Sequence, residues 1–163
     1  MFPDDIEALA RQVIEAASAR GLMVAAAESC TGGLVSAALT SVAGSSAVVE
    51  RGFVTYSNAA KTGLLGVPAD LIERHGAVSE AVARAMAEGA LSHSAAQVSV
   101  AVTGIAGPGG GSPDKPVGLV HFAASGPGGL IHVERRFGDI GREEVRLAGL
   151  RVALDLLLDR IGA

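Results

Sequence analysis

Four constellations in the sequence have residue types and spacings that could do chemistry. The first is Glu28-Ser29-Cys30-Thr31-Gly32-Gly33. It sets a hydroxyl and a thiol between a short apolar run and a helical pattern, where open α/β sheets gather ligands. A helix start offers unpaired N–H groups and a partial positive charge to an anion or an oxyanion. Gly32 and Gly33 let a ligand approach the backbone. The same residues also read as a plain helix cap, for which Ser and Thr are ordinary choices.

The second is Tyr56-Ser57-Asn58-Ala59-Ala60-Lys61. Lys61 is an isolated cation in apolar surroundings. At the surface it would be a solvated charge. Desolvated, its ammonium would be disfavoured and its pKa lowered, so that a neutral amine could take a proton from Ser29. Tyr56 is the sole tyrosine. It could orient that amine or relay a proton, or stand at a rim with a wet hydroxyl.

The third is the stretch from Thr103 to Ser112, which holds five glycines in ten residues. It implies unusual backbone angles or a close ligand, or else a surface connection. It lacks the Gly-Lys-Ser/Thr ending of a Walker A loop, and its glycine spacing is not that of a dinucleotide fingerprint.

The fourth is the pair Arg142 and Arg146, four apart on one helix face. Basic side chains at a helix start oppose the dipole. A phosphate ligand would settle that conflict, and so would the neighbouring Glu143 and Glu144. The histidines (His75, His93, His121, His132) show no metal-ligand spacing, and no Ser-His-Asp set stands out. Cys30 is a second candidate nucleophile, because thiolates form readily at helix starts.

These residues need elements to hold them. Pro3-Asp4-Asp5 opens a helix that Gly21 ends, with Ile6, Leu9, Val13, Ile14 and Ala17 at helical spacing. Leu22 to Ala27 is a buried strand, and Leu34 to Val42 a helix. Val48 to Tyr56 is a strand rich in β-formers. Lys61 starts a short helix, and Pro68 starts another that stops at Gly76. Ser79 caps a longer helix through Ala95. Gln97 to Thr103 is a third strand. Val117 to Ala124 and Leu130 to Phe137 form a hairpin, and a last helix runs from about Arg142 to Ile161. This order predicts one domain over residues 1–163: an α/β, three-layer α/β/α sandwich on a mixed, mostly parallel sheet.

The composition supports a packed domain. Of 163 residues, 49% are hydrophobic and 18% charged, which excludes disorder. Aromatics are 3% and tryptophan is absent, so Ala, Val, Leu and Ile must build the core. A net charge of −4 without a basic stripe argues against nucleic acid. One cysteine excludes an internal disulfide and points to a reducing compartment. The N-terminus has no signal-peptide pattern, and no apolar stretch reaches membrane-spanning length. The expectation is a cytoplasmic protein.

Taken in order, Ala27 to Gly33, Gly44-Ser45-Ser46, Gly52 to Asn58, Gly76-Ala77-Val78-Ser79, Thr103 to Pro108 and Lys115-Pro116-Val117-Gly118 resemble the CinA C-terminal domain family. The resemblance covers nearly the whole sequence, and it is to members lacking the family's larger N-terminal domain. It implies a nicotinamide-nucleotide amidase, converting nicotinamide mononucleotide to nicotinic acid mononucleotide and ammonia. It implies Ser29 as nucleophile, Lys61 as base and Tyr56 as helper. Thr31, Gly32, Gly33, Ser46, Asn58, Thr103, Gly104 and Arg142 would then serve the substrate, with no cofactor or metal. Amides at the helix start after Ser29 would hold the oxyanion. A homodimer or larger homo-oligomer is also implied. The family's link to competence and DNA damage suggests an alternative: a non-catalytic module that binds a nucleotide or a partner.

Overall fold

In the computed structural model, which describes residues 1–163, β2-β1-β3-β4-β5 is the strand order of a single five-stranded sheet. The strands are β1 (Val24–Glu28), β2 (Val49–Val54), β3 (Val98–Gly104), β4 (Leu119–Gly126) and β5 (Gly129–Arg136). β1 pairs in parallel with β2 and β3, whereas β3–β4 and β4–β5 are antiparallel. The sheet is mixed as expected, and four of its five strands point one way, with β4 alone reversed.

Six helices cover it: α1 (Asp4–Arg20), α2 (Leu34–Thr40), α3 (Asn58–Leu65), α4 (Ala69–His75), α5 (Glu80–Ser92) and α6 (Arg142–Gly162). The layers follow from side-chain alternation along the strands. Val24 and Ala26 of β1 join one core with Val13 of α1, Leu39 of α2 and Leu154 of α6. Ala25 and Ala27 join the opposite core, with Leu65 of α3, Ile72 of α4 and Met86 of α5. The small side chains of β1 allow close packing on both faces, so the strand is wholly buried.

Helix α3 starts at Asn58, earlier than the expected start at Lys61. Ser57 is the reason: its extended backbone and its Oγ, which accepts the Ala60 amide at 3.0 Å, form an N-cap. Lys61 therefore sits one turn inside the helix, where its side chain turns inward. Ser79 caps α5 as expected, accepting from the Val82 amide. Where α5 crosses α3, Gly89 meets backbone: a Cβ there would lie 2.1 Å from the Leu65 carbonyl oxygen. That close approach seats the helix that carries Lys61.

The register sets the site. Glu28 of β1 lies opposite Val54 of β2 and Val102 of β3. Ser29, Thr55 and Thr103 thus leave the carboxyl ends of three parallel neighbours at one level, where open α/β sheets bind ligands.

Candidate active site

Ser29 leaves β1 still tied to the sheet, its amide donating to the Val102 carbonyl at 2.9 Å. The Nζ of Lys61 lies 3.0 Å from Ser29 Oγ and 2.8 Å from the Thr55 carbonyl oxygen. Lys61 is 1% exposed, one of the largest fully buried side chains in the protein. No carboxylate is within ion-pair distance of it, and burial lowers its pKa below the ordinary lysine value. The solvated-charge alternative for Lys61 is thereby ruled out. A desolvated amine in hydrogen-bond contact with a serine hydroxyl is the arrangement a Ser–Lys nucleophile requires.

Both residues open into a cavity of about 250 Å³. Asn58, Tyr56, Arg142, Thr103, Gly104 and the glycine loop also line it. Ala77 and Val78, from the turn before α5, form an apolar wall; the sequence shows them in a family segment but gives them no site role. Thr103 fixes that wall by donating its hydroxyl to the Ala77 carbonyl at 2.9 Å. The loop closes on itself at its base, the Ile105 amide donating to the Leu119 carbonyl and the Gly118 amide to the Ile105 carbonyl.

Tyr56 does not touch Lys61 through a hydrogen bond. Its hydroxyl accepts from Arg142 Nη2 at 2.9 Å, and Arg142 Nη1 donates to the Gly107 carbonyl at 2.8 Å. The ring is 62% exposed, so Tyr56 stands at the rim, bridged by Arg142 to the loop. The conflict between Arg142 and the helix dipole is met by these two acceptors together with Glu143 and Glu144 in the first turn of α6.

Thr31, Gly32, Gly33 and Ser46 do not line the cavity. Thr31 is fully buried and points toward α6, where Gly149 would bring a Cβ within 3.6 Å of its Cγ2. Ser46 is exposed in a short 3-10 turn, Ser45–Ala47, that precedes β2; the site lies at the other end of that strand. The start of α2 does not offer its amides as an oxyanion site either. Glu28 takes them: its carboxyl oxygens accept from the Val35 amide at 2.9 Å, the Ser36 amide at 3.1 Å and Ser36 Oγ at 2.9 Å. Glu28 is 0% exposed. The cap on this helix is thus the acid before the nucleophile, not Ser29 or Thr31. A glutamate at the end of an otherwise apolar strand is the signal that would have shown it.

Cys30 also borders the cavity, but its thiol is buried and its pKa is pushed up to about 12. Burial is the leading cause, and it outweighs the downward pull of Arg146. That burial and that shift favour Ser29 over Cys30 as the nucleophile. His121 and His132 pair across β4 and β5, Nδ1 to Nε2 at 2.9 Å, and neither lines the cavity.

A sheet covered on both faces, with a buried lysine against a partly exposed serine at the carboxyl ends of its parallel strands, defines the class of protein. The model of the CinA C-terminal domain matches residues 6–161, and the chain belongs to that family. A CinA-like protein of a Synechococcus strain is 53% identical over 96% of this chain. One from Anaeromyxobacter dehalogenans is 52% identical over the same share. The chain spans 38% of the length of each of these relatives. Among solved structures, the competence/damage inducible protein CihA of Agrobacterium tumefaciens superposes with a TM-score of 0.97 at 57% identity, covering 100% of this chain and 99% of that one. The competence damage-inducible protein A of Klebsiella pneumoniae gives 0.91 at 37% identity, covering 96% and 97%. No helix is long and apolar enough to cross a membrane.

Proposed function

We propose that the protein is an amidase that converts nicotinamide mononucleotide to nicotinic acid mononucleotide and ammonia, with Ser29 as nucleophile and Lys61 as base. One observation carries the chemistry: the buried Lys61 amine lies 3.0 Å from Ser29 Oγ with only neutral partners around it. The choice of substrate rests on the family resemblance. A carboxamide is unreactive enough to need an activated hydroxyl and a base that can return a proton to the leaving nitrogen.

In this reading Lys61 takes the Ser29 proton as Oγ attacks the carboxamide carbon. The carbon–nitrogen bond then breaks as the Lys61 ammonium returns that proton to the leaving nitrogen, which departs as ammonia. Lys61 next draws a proton from water, the resulting hydroxide attacks the acyl ester, and the acid is released with Ser29 reprotonated. Arg142 and Asn58, at the polar side of the cavity, face the remainder of the nucleotide. The protein acts in the cytoplasm as a homodimer or larger homo-oligomer.

The test is ammonia release from nicotinamide mononucleotide by the purified protein in the presence of a chelator. Turnover that disappears in Ser29→Ala supports the reading. Binding of the mononucleotide without turnover would favour the alternative suggested by the relatives' names, a binding module tied to competence or DNA damage.

A further inference from the structure

We propose that Arg146 is a positioning residue for the nucleophile, acting through the turn Cys30–Gly32. The proposal deepens the Ser29–Lys61 amidase reading and rests on it. Arg146 belongs to the second turn of α6, one helical turn beyond Arg142, and it does not line the cavity. Its Nε donates to the Cys30 carbonyl at 3.1 Å and its Nη2 to the Thr31 carbonyl at 3.2 Å. One planar guanidinium thus grips two successive carbonyls directly after Ser29, a match that its rigid fork suits and a lysine cannot fully copy.

The main chain around Ser29 shows what the grip does. On its N-terminal side Ser29 is fixed by the sheet, its amide on the Val102 carbonyl. On its C-terminal side the chain turns sharply, with the Gly32 amide donating back to the Ser29 carbonyl at 3.0 Å. The Cys30 carbonyl has no partner but Arg146. The Thr31 carbonyl that Arg146 grips and the Gly32 amide that holds the Ser29 carbonyl belong to one peptide plane, so losing the clamp loosens the tie on the peptide that follows Ser29. Three residues along α6, Gly149 faces Thr31, so helix and turn are in contact at two points.

A packing role alone would be served by an apolar residue. Here the charged end of the side chain is placed on two main-chain carbonyls, which an apolar residue could not hold. Its charge reaches the turn, where it opposes the effect of burial on the Cys30 thiol. The same field favours negative charge developing beside Ser29 during attack. Arg146 and Arg142 divide the site between them, one holding the nucleophile turn and the other the glycine loop and Tyr56.

The experiment compares wild type, Arg146→Ala, Arg146→Gln and Arg146→Lys, each checked by thermal melting. It measures turnover of nicotinamide mononucleotide and labelling of Ser29 by a fluorophosphonate, in which the Oγ–P bond forms, fluoride leaves and the proton passes to Lys61. We expect Arg146→Ala to lower kcat by about 100-fold, the scale of a misplaced reacting group, with KM within about 2-fold of wild type. Labelling should slow in parallel, and Arg146→Lys should recover part of both. Arg146→Gln, which keeps most of the stem, replaces Arg146→Ala if the latter melts below the assay temperature. A rise in KM with kcat unchanged would mean that Arg146 binds substrate directly, and it overturns the proposal. So would wild-type kcat and labelling in a folded Arg146→Ala protein. If wild type neither releases ammonia nor labels at Ser29, the amidase reading fails first and this one with it.

Discussion

The Lys61 amine lies between the Ser29 hydroxyl and the Thr55 carbonyl oxygen, 3.0 and 2.8 Å away, and meets no carboxylate. A buried lysine without a counter-ion gives up its proton more readily than a solvated one, because desolvation falls on the charged form alone. Replacing Lys61 with Met should therefore abolish amide hydrolysis, with kcat down by at least about 10³-fold, while the fold persists. Steady-state ammonia release and circular dichroism check both halves.

The same shift fixes a pH dependence. Lys61 has a lower pKa folded than its ordinary 10.5. Between those two values the unfolded chain binds a proton that the folded protein does not, so stability rises with pH across that window. Below the folded value both states are protonated, and the cost of burying the ammonium is carried in full. Denaturant unfolding at a series of pH values should show this rise in wild type and lose it in Lys61→Met. Catalysis should follow the same amine, climbing with pH to a plateau whose midpoint lies below 10.5.

Ser29→Ala should lose turnover by at least about 10³-fold with little change in melting temperature, since one half-exposed oxygen is removed. Cys30→Ala should stay within a few-fold of wild type, and iodoacetamide near neutral pH should leave activity intact, because the thiol is buried and raised to about 12. Inactivation by iodoacetamide that Cys30→Ala abolishes would restore the thiol as nucleophile.

Glu28→Ala should cost roughly 3 kcal/mol, leaving the Val35 and Ser36 amides of α2 without their acceptor. For a domain of this size that is a fall of about 6–12 °C in melting temperature. Glu28→Gln keeps an acceptor oxygen and should lose less. Differential scanning calorimetry of the two variants separates these outcomes.

Arg142 and Tyr56 should behave as a unit. Because the Tyr56 hydroxyl accepts from Arg142 and not from Lys61, Tyr56→Phe and Arg142→Ala share one interaction. Their effects on kcat/KM should be less than additive in the double variant. A Tyr56→Phe effect that instead vanishes in a Lys61 background would put the phenol on the amine, as the sequence suggested.

Local periodicity and punctuation carried most of the architecture. Apolar residues at helical spacing, glycines at helix ends and Ser79 as a cap are short-range signals, legible one segment at a time. Even the pairing of β4 with β5 followed from the closeness of two β-rich runs. The sequence puts the start of α3 at Lys61, because Ser57 directly follows a β-rich run, whereas its side chain caps the helix that buries Lys61.

The residue types needed for amide hydrolysis were written in the sequence: a serine after a buried strand, a lone lysine after another, a glycine loop after a third. What their partners are was not. Thr31, Gly32, Gly33 and Ser46 resemble site residues by motif yet lie outside the cavity, and Glu28, Ala77, Val78 and Arg146 stand in the sequence patterns, but what they touch entered only with the fold. The reason is distance along the chain. Ser29 meets Lys61 across 32 residues, Tyr56 meets Arg142 across 86, and Cys30 meets Arg146 across 116. Such contacts follow from strand register and helix packing, which fix where side chains point in space, and no local pattern encodes that direction.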